Sequence, residues 1–372
     1  MSSPHPPSSD AVELNAPEQR QGIRNRRWLG ILVVAVGIAA AGLFMPIPHG
    51  HRAFGAIGDL FHGPLFACLT FILLVTAERL RPITGWTTRF FVRTSMLALL
   101  MFGLGWSVEW FQSALGRTMA MHDGIANGFG ILAAVGVFCI YRGRELESAP
   151  TASSQPHRLA IRKSTEYALI SCSVMCLLSS WITPAGKLID VANVYWQFPT
   201  LSSFESKYEI DRWYLRDLID ARTDRDPTHG EHGLELTVAP SRKPSDPALC
   251  GATLFELNSD WSSMSALLID VRMAEQTAPH QCEFAVQVVC ETSPVGDTDQ
   301  GRPLIQTATV NVRGLPGQWS TIRITRDDIL AQVPSFDFTS VRYLDLFMKH
   351  PQPNQVWWLD HVRLDGDFGT LR

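Results

Sequence analysis

Residues 60–77 read LFHGPLFACLTFILLVTA, eighteen residues without Asp, Glu, Lys or Arg. At about 1.5 Å of rise per residue, a helix of this length nearly crosses the roughly 30 Å of hydrocarbon in a bilayer. Four further apolar stretches of similar length lie at 28–45, 91–108, 124–141 and 167–184. No stretch after Lys187 is long and apolar enough to cross a membrane. We therefore predict an α-helical transmembrane bundle of about five spans.

The remainder of the chain has the pattern of an all-β domain. Eight short segments alternate apolar and polar residues, or are apolar throughout, and turn residues separate them. They begin at Gly233, Gly251, Ala266, Glu283, Ile305, Trp319, Val341 and Val356. Strands of this number and spacing predict a β-sandwich or jelly roll, and one helical stretch is expected around 210–220.

These patterns divide the chain into five segments. The polar, Pro-rich and Ser-rich N-terminus has too little apolar surface to order itself, so we predict a disordered tail there. The predicted segments are a tail at 1–27, a four-helix membrane domain at 28–142, a loop at 143–166, a fifth transmembrane helix at 167–184 and a β-sandwich at 190–372.

The orientation follows from the Lys and Arg residues that flank the spans, since basic residues are retained on the cytoplasmic side. Thirteen of them fall in the tail, in the loop after the second span and in the loop after the fourth, against three on the other side. The three are Arg52, Arg117 and Lys187. We therefore predict a multi-pass protein of the cell (inner) membrane with its N-terminus and the 143–166 loop in the cytoplasm and its β-sandwich outside.

Charge and motif content exclude several functions. The net charge is −4 and there is no long Lys/Arg run, so no nucleic-acid partner is expected. The chain shows no nucleophile with a paired base, no metal-ligand spacing and no phosphate-binding Gly-rich loop. We predict no cofactor and no metal, and the sequence leaves open whether the protein is an enzyme.

Polar residues gather at one end of three predicted spans. Each of three pairs has a spacing of three or four residues and therefore shares a helical face: Asp59 with His62, Glu109 with Gln112, and Asp123 with Asn127. Arg117 lies in the connection between the last two pairs. Ionisable groups near hydrocarbon cost several kcal/mol, by broad estimate, unless they are paired. The seven residues are our candidate polar pocket, with helix capping by Asp59 and Asp123 as the alternative for those two.

The segment EWFQSALGRTMAMHDGIANGFG, from Glu109 to Gly130, resembles the signature of VanZ-like membrane proteins, and GDLFHGPLF resembles that family's earlier Asp/His motif. The resemblance covers roughly 28–142. The family usually has Lys after the Asp of the earlier motif, where this chain has Leu60. The resemblance implies a role in the cell envelope linked to tolerance of glycopeptide antibiotics, and it implies no particular reaction.

The C-terminal strands resemble galactose-binding-like jelly rolls of carbohydrate-binding modules, through the run Leu359, Asp360, Val362 and Leu364. Trp357 and Trp358 are neighbours on a strand and therefore face opposite ways, so one is expected in the core. The candidate carbohydrate-binding residues are Trp357, Trp358 and Asp360. Asp360 either holds a structural cation or accepts backbone hydrogen bonds.

Two functional classes remain at this point. The first is a membrane protein of the cell envelope whose outward polar pocket and outer sandwich engage envelope glycan. The second is a membrane enzyme or transporter acting on a lipid-linked or anionic substrate through His62, Glu109 and Arg117. The expected partners are membrane lipid and an envelope glycan or lipid-linked substrate. A purely anchoring role for the helices is a third alternative.

Overall fold

The computed structural model describes residues 16–44, 52–114, 121–148, 163–223, 226–240, 250–277, 282–292, 304–349 and 351–369. The chain forms two compact units that divide between Leu188 and Ile189. The first is helical and the second consists mainly of antiparallel β-sheet. The predicted fold class is confirmed.

Five helices form the first part of the chain: α1 (Ala16–Phe44), α2 (Arg52–Leu80), α3 (Thr88–Ala114), α4 (Met121–Ser148) and α5 (Lys163–Trp196). Within the described residues, α2 to α5 are each long and apolar enough to cross a membrane. The predicted span at 28–45 falls mostly on α1, whose side chains are described only over 26–41. Met45 lies outside the described residues.

The outer surfaces of these helices are apolar. Large hydrophobic side chains point away from the neighbouring helices, among them Val33, Met96 and Leu99, the last of which is 69% exposed. A soluble protein rarely exposes apolar surface of this extent, whereas lipid chains solvate it. The exposed surface therefore supports a bilayer as the environment of these helices.

Two glycines allow α2 to contact α4 and α5 closely. A Cβ atom on Gly130 would collide with the carbonyl group of Gly63 and would lie 3.1 Å from the backbone nitrogen of Ala67. A Cβ on Gly63 would in turn collide with the Ser180 side chain of α5. Small residues at such crossings let helix backbones approach closely, which stabilises helix pairs in membranes.

The second part of the chain is a two-sheet sandwich. Its strands are β1 (Thr200–Ser202), β2 (Trp213–Arg216), β3 (Leu218–Thr223), β4 (Gly233–Val238), β5 (Cys250–Leu254), β6 (Met264–Met273), β7 (Glu283–Thr292), β8 (Leu304–Arg313), β9 (Trp319–Thr325), β10 (Val341–Met348) and β11 (Val356–Gly366). A short helix, α6 (Arg326–Gln332), follows β9. The first sheet has the order β3-β4-β11-β6-β9, with β1 also paired to β11, and the second has the order β2-β5-β10-β7-β8.

The inward faces of the two sheets form one continuous core. Alternate residues of each central strand belong to it, such as Phe284 on β7, Leu346 on β10 and the fully buried Trp357 on β11.

The eight predicted strands are all present. The prediction of a helix around 210–220 is wrong. This segment forms a single 3-10 turn at Glu209–Arg212, followed by β2 and β3. Their pairing with β5 and β4 overrides the local helical pattern.

Candidate functional site

The polar ends of α2, α3 and α4 meet in the helical unit. We call three of these residues the inner triad: His62, Glu109 and Asp123. One ring nitrogen of His62 and one carboxylate oxygen each from Glu109 and Asp123 all lie within 4.8 Å of one another. His62 Nδ1 lies 3.9 Å from Glu109 Oε1. All three side chains are buried, with Glu109 only 2% exposed. The structure therefore unites one residue from each of the three predicted polar pairs.

Asn127 completes the buried side of this cluster. Its Oδ1 lies 3.3 Å from His62 Nδ1, one helical turn beyond Asp123 on α4. The Asn127 side chain is only 1% exposed, and within the described residues its Nδ2 makes no hydrogen bond. A buried amide donor without an acceptor is costly, so an acceptor bound beside Asn127 would stabilise the site.

A second group of charges lies beside the inner triad and shares Asp123 with it. His122 Nε2 is 3.4 Å from Asp59 Oδ2 and 3.4 Å from Asp123 Oδ1. Lys187 Nζ, from α5, is 3.3 Å from Asp59 Oδ2 and 3.0 Å from His122 Nε2. We call Asp59, His122 and Lys187 the outer triad. It brings Lys187 of α5 to the carboxylate of Asp59 on α2 and to the imidazole of His122 on α4.

A cavity of about 270 Å³ opens onto these groups. Its polar lining is contributed by Asp59, His122, Asp123, Ser179, Ser180 and Thr183. Apolar residues of α4 and α5, including Phe129 and Ile182, form the rest of the wall. A cavity with an apolar wall and a few convergent polar groups is the usual form of a small-molecule site.

The predicted pocket residues have different positions in the structure. Asp59, His62, Glu109, Asp123 and Asn127 lie in the two groups described above. Gln112 belongs to α3, but its side chain is not among those described, and Arg117 lies outside the described residues. Sequence reasoning missed two members of the cluster, His122 and Lys187. His122 had a signal in its position beside Asp123, whereas Lys187 was considered only as a flanking charge.

A second charged cluster lies at the opposite end of the same helices. Glu78 on α2 is buried, forms ion pairs with Arg93 of α3 and Arg142 of α4, and accepts a hydrogen bond from the Ile83 backbone N–H. Nearby, Arg79 contacts both Tyr141 and Glu145. These contacts tie together the ends of three helices whose arginines were predicted to flank the membrane.

The separation of the two clusters matches a bilayer. Asp59 and Glu78 are nineteen residues apart on α2, and so are Asp123 and Arg142 on α4. At about 1.5 Å per residue, each interval spans roughly 28 Å. The hydrocarbon core of a bilayer is about 30 Å thick. The charged groups are therefore spaced as expected for helices with one cluster near each membrane surface.

The candidate carbohydrate residues of the sandwich lie on both faces of β11. Trp357 is fully buried against Phe284 and presents no face to a ligand. Trp358 is on the outer face, where it donates a hydrogen bond to Glu235 Oε2 at 3.0 Å. The guanidinium carbon of Arg272 lies 4.4 Å from the Trp358 ring centroid, so one face of this ring is covered.

Asp360 is buried under the loop that precedes β4. Its carboxylate accepts hydrogen bonds from the backbone N–H groups of Thr228, His229 and His361, at 2.7, 3.0 and 2.7 Å. Of the two roles considered for Asp360, these contacts favour the acceptance of backbone hydrogen bonds. Burial lowers the pKa of the neighbouring His361 to about 4, with Arg363 acting in the same direction, so this imidazole is neutral at pH 7.

The outer face of the second sheet carries a row of aromatic residues that the sequence did not single out. Tyr214, Phe255 and Tyr343, which we call the aromatic strip, follow one another across β2, the end of β5 and β10. The ring centroids of Tyr214 and Phe255 are 6.3 Å apart, and those of Phe255 and Tyr343 are 5.6 Å apart. Tyr214 and Phe255 are each 54% exposed.

A polar row runs beside the aromatic strip. Thr253, Asp345, Gln287 and Thr309 are consecutive cross-strand partners on β5, β10, β7 and β8. Thr253 donates a hydrogen bond to Asp345, and Gln287 Nε2 donates to Thr309 Oγ1 at 3.2 Å. Burial raises the pKa of Asp345, while the bond from Thr253 and the charge of Arg216 oppose this rise. The face thus combines the exposed rings of Tyr214 and Phe255 with the half-buried Gln287 and Thr309, whereas Thr253 and Asp345 are buried.

No family model matches the chain, and no curated protein matches it. Several solved carbohydrate-binding modules are similar at low identity. The family 11 module from Clostridium thermocellum, in complex with a β-1,3-1,4-mixed-linked tetrasaccharide, is 12% identical, with 45% of this chain and 94% of that chain covered and a TM-score of 0.33. A family 30 module of a Clostridium thermocellum cellulase is 15% identical, with coverages of 42% and 91% and a TM-score of 0.31.

A family 28 module specific for non-crystalline cellulose is 14% identical, with 45% of this chain and 93% of that chain covered and a TM-score of 0.29. Identities and scores in this range carry no information about the ligand of this chain. The class of the protein is therefore defined by its own fold: apolar helices able to cross a membrane, followed by an antiparallel β-sandwich.

Proposed function

We propose that this chain is a VanZ-like, multi-pass protein of the cell envelope whose β-sandwich binds glycan outside the cytoplasm. The observation that carries the proposal is the aromatic strip beside the polar row. Exposed aromatic rings stack on the apolar faces of pyranose rings, and neighbouring side-chain oxygens and amides bond the hydroxyl groups. The aromatic strip offers the rings, and the half-buried Gln287 and Thr309 of the polar row offer amide and hydroxyl groups on the same sheet face.

The position of the sandwich relative to the membrane is part of this proposal. The thirteen-to-three distribution of basic flanking residues supports a cytoplasmic N-terminus. The proposal counts α1 as a span in addition to the four that α2 to α5 can provide, and this odd number brings the sandwich to the outer side. The same reasoning assigns the Glu78 cluster to the cytoplasmic surface and the inner triad to the outer surface. Envelope glycans are reached from the outer side.

Binding of a soluble fragment to glycans tests this function. Residues 186–372 include the whole second unit and its core. We expect this fragment to be retained on cell-wall or exopolysaccharide fractions in affinity electrophoresis. Tyr214→Ala and Phe255→Ala each remove one exposed ring, and each is expected to weaken binding at least tenfold, because truncation of an aromatic residue central to a binding interface costs about 2 kcal/mol or more.

Two control variants of the fragment locate the binding face. Ile219→Ala removes an apolar side chain of similar exposure, 55%, from β3 in the other sheet, and it should leave binding unchanged. Trp358→Ala tests the face that was predicted from the sequence. Loss of binding in Trp358→Ala alone would move the site to the first sheet. No retention of the wild-type fragment on any glycan would refute the proposed function.

The helical unit is proposed to engage a polar envelope component in the cavity beside Asp59, His122 and Asp123. The second candidate function is an enzyme or transporter in which His62 and Glu109 exchange a proton. The 3.9 Å approach of their side chains favours this candidate, because a small movement would bring them into hydrogen-bonding range. In that mechanism, Arg117 would hold an anionic headgroup.

A further inference from the structure

We propose that the inner triad is a binding site for one first-row divalent transition metal ion, such as Zn²⁺, Mn²⁺ or Fe²⁺. The ligands are one nitrogen of His62 and one carboxylate oxygen each from Glu109 and Asp123, with Oδ1 of Asn127 as a candidate fourth. This site lies in the helical unit alone. It therefore stands or falls independently of glycan binding by the sandwich.

The geometry fits a metal of this size. One ligand atom from each residue of the inner triad lies within 4.8 Å of the other two. With metal–ligand bonds of about 2.0–2.2 Å, neighbouring ligands of a tetrahedral ion are about 3.3–3.6 Å apart. Ligand atoms that lie up to 4.8 Å apart must therefore approach one another by at most about 1.5 Å, a movement within the reach of side-chain rotation. Asn127 Oδ1, which lies 3.3 Å from His62 Nδ1, already has the spacing of an adjacent ligand.

Burial and hydrogen bonding point to a missing ligand rather than to a surface ion pair. Asp123 is only 7% exposed and belongs to both groups of possible ligands. Within the described part of the chain its Oδ1 accepts no hydrogen bond, and its charged neighbour is His122 Nε2 at 3.4 Å. A buried carboxylate oxygen that lacks a hydrogen bond is costly, and a bound cation stabilises it directly.

The charges of the inner triad are compatible with a divalent cation. The triad contains two carboxyl groups, those of Glu109 and Asp123, and a divalent cation balances the charge of two carboxylates. Lys187 lies in the outer triad, where its ammonium group pairs with Asp59 and provides the positive charge that a second cation would bring.

The ligand types select the class of metal. Imidazole nitrogen favours zinc, iron, copper and nickel, whereas carboxylate and amide oxygens favour harder ions such as manganese. A mixed set with one nitrogen therefore favours first-row ions over Ca²⁺ and Mg²⁺. The cavity of about 270 Å³ includes Asp123 in its wall, so a metal at the inner triad would lie next to the space where a substrate could bind.

The test is metal analysis of the full-length protein, purified in detergent without chelator, by inductively coupled plasma mass spectrometry. We expect about one equivalent of a transition metal per chain, since buried sites of this kind bind tightly. Removal of the metal with a chelator should lower the melting temperature, and reloading with ZnCl₂ or MnCl₂ should restore it. The melting measurement uses only the wild-type chain and does not depend on the folding of a variant.

Matched variants assign the site. Asp123→Asn and Glu109→Gln conserve shape and should each reduce the bound metal at least tenfold. Glu145→Gln removes a carboxylate from the other end of α4, and Lys187→Met removes the neighbouring cation, and both should keep the metal. Absence of stoichiometric metal, both as purified and after reloading, would overturn the proposal. Equal metal content in wild type and Asp123→Asn would also overturn it.

Discussion

Replacement of Gly130 with Ala is expected to separate α2 from α4 and to lower the stability of the helical unit by at least about 1–3 kcal/mol, the usual cost of overpacking. The new Cβ would meet the carbonyl group of Gly63 and the backbone nitrogen of Ala67. Both obstacles are backbone atoms, so no rotamer change relieves the clash. Because the inner triad joins α2 to α4, its geometry should also be lost.

A melting curve of the detergent-solubilised protein measures this effect. Gly103→Ala is the matched control, because a Cβ on Gly103 in α3 meets no atom within 4 Å. Alanine is also the better helix former, by roughly 1 kcal/mol, so this control should be neutral or slightly stabilising. A Gly130→Ala protein that melts at the wild-type temperature would show that α2 and α4 do not pack as described.

Replacement of Asp190 with Ala is expected to destabilise the sandwich unit by about 3–5 kcal/mol, the usual cost of breaking a buried ion pair. Arg212 and Asp190 are almost completely buried. The guanidinium group donates to Asp190 Oδ2 at 2.9 Å and to Oδ1 at 2.6 Å, and it also donates to the Leu201 carbonyl oxygen at 3.1 Å. Removal of the carboxylate leaves the charge of Arg212 buried without its partner.

Urea unfolding of residues 186–372 provides the measurement. Asp365→Ala is the matched control, since it removes the partner of Arg323 from an ion pair of similar length, 3.0 Å, that is about half exposed. Such surface pairs contribute about 0–1 kcal/mol. The double replacement Asp190→Leu with Arg212→Met should recover much of the loss, because no unpaired charge remains. Equal effects of Asp190→Ala and Asp365→Ala would contradict this account.

The sequence predicted the regular elements well and the irregular ones poorly. The eight predicted strands have alternating or fully apolar patterns that also specify their buried face, and each appears in a sheet. The short strands β1, β2 and β3 were missed. Asp217 lies between β2 and β3 and has a left-handed backbone conformation, with φ of 54°. No local sequence pattern predicts this change of direction. Pairing with distant strands decides such segments.

The candidate site was predictable only where helical spacing applies. Asp59, His62, Glu109, Asp123 and Asn127 were found because their pairs share helix faces at corresponding ends of successive spans. Lys187 reaches the cluster from a helix more than sixty residues further along the chain, which spacing cannot reveal.

The aromatic strip had no signal in the sequence for a related reason. Tyr214, Phe255 and Tyr343 are neighbours only through the strand order β2-β5-β10, which places distant parts of the chain side by side. The carbohydrate-binding candidates Trp357 and Asp360, in contrast, were predicted from a local motif. Strand alternation buries Trp357, and the carboxylate of Asp360 accepts hydrogen bonds from backbone N–H groups.

The proposed topology is the central claim, because glycan binding requires the sandwich to lie outside the cytoplasm. Alkaline phosphatase, which is active only outside the cytoplasm, can be fused after Glu147 or after Arg372 and expressed in bacterial cells. We predict high phosphatase activity for the fusion at Arg372 and background activity for the fusion at Glu147. The reverse pattern, with activity at Glu147 and none at Arg372, would contradict the claim.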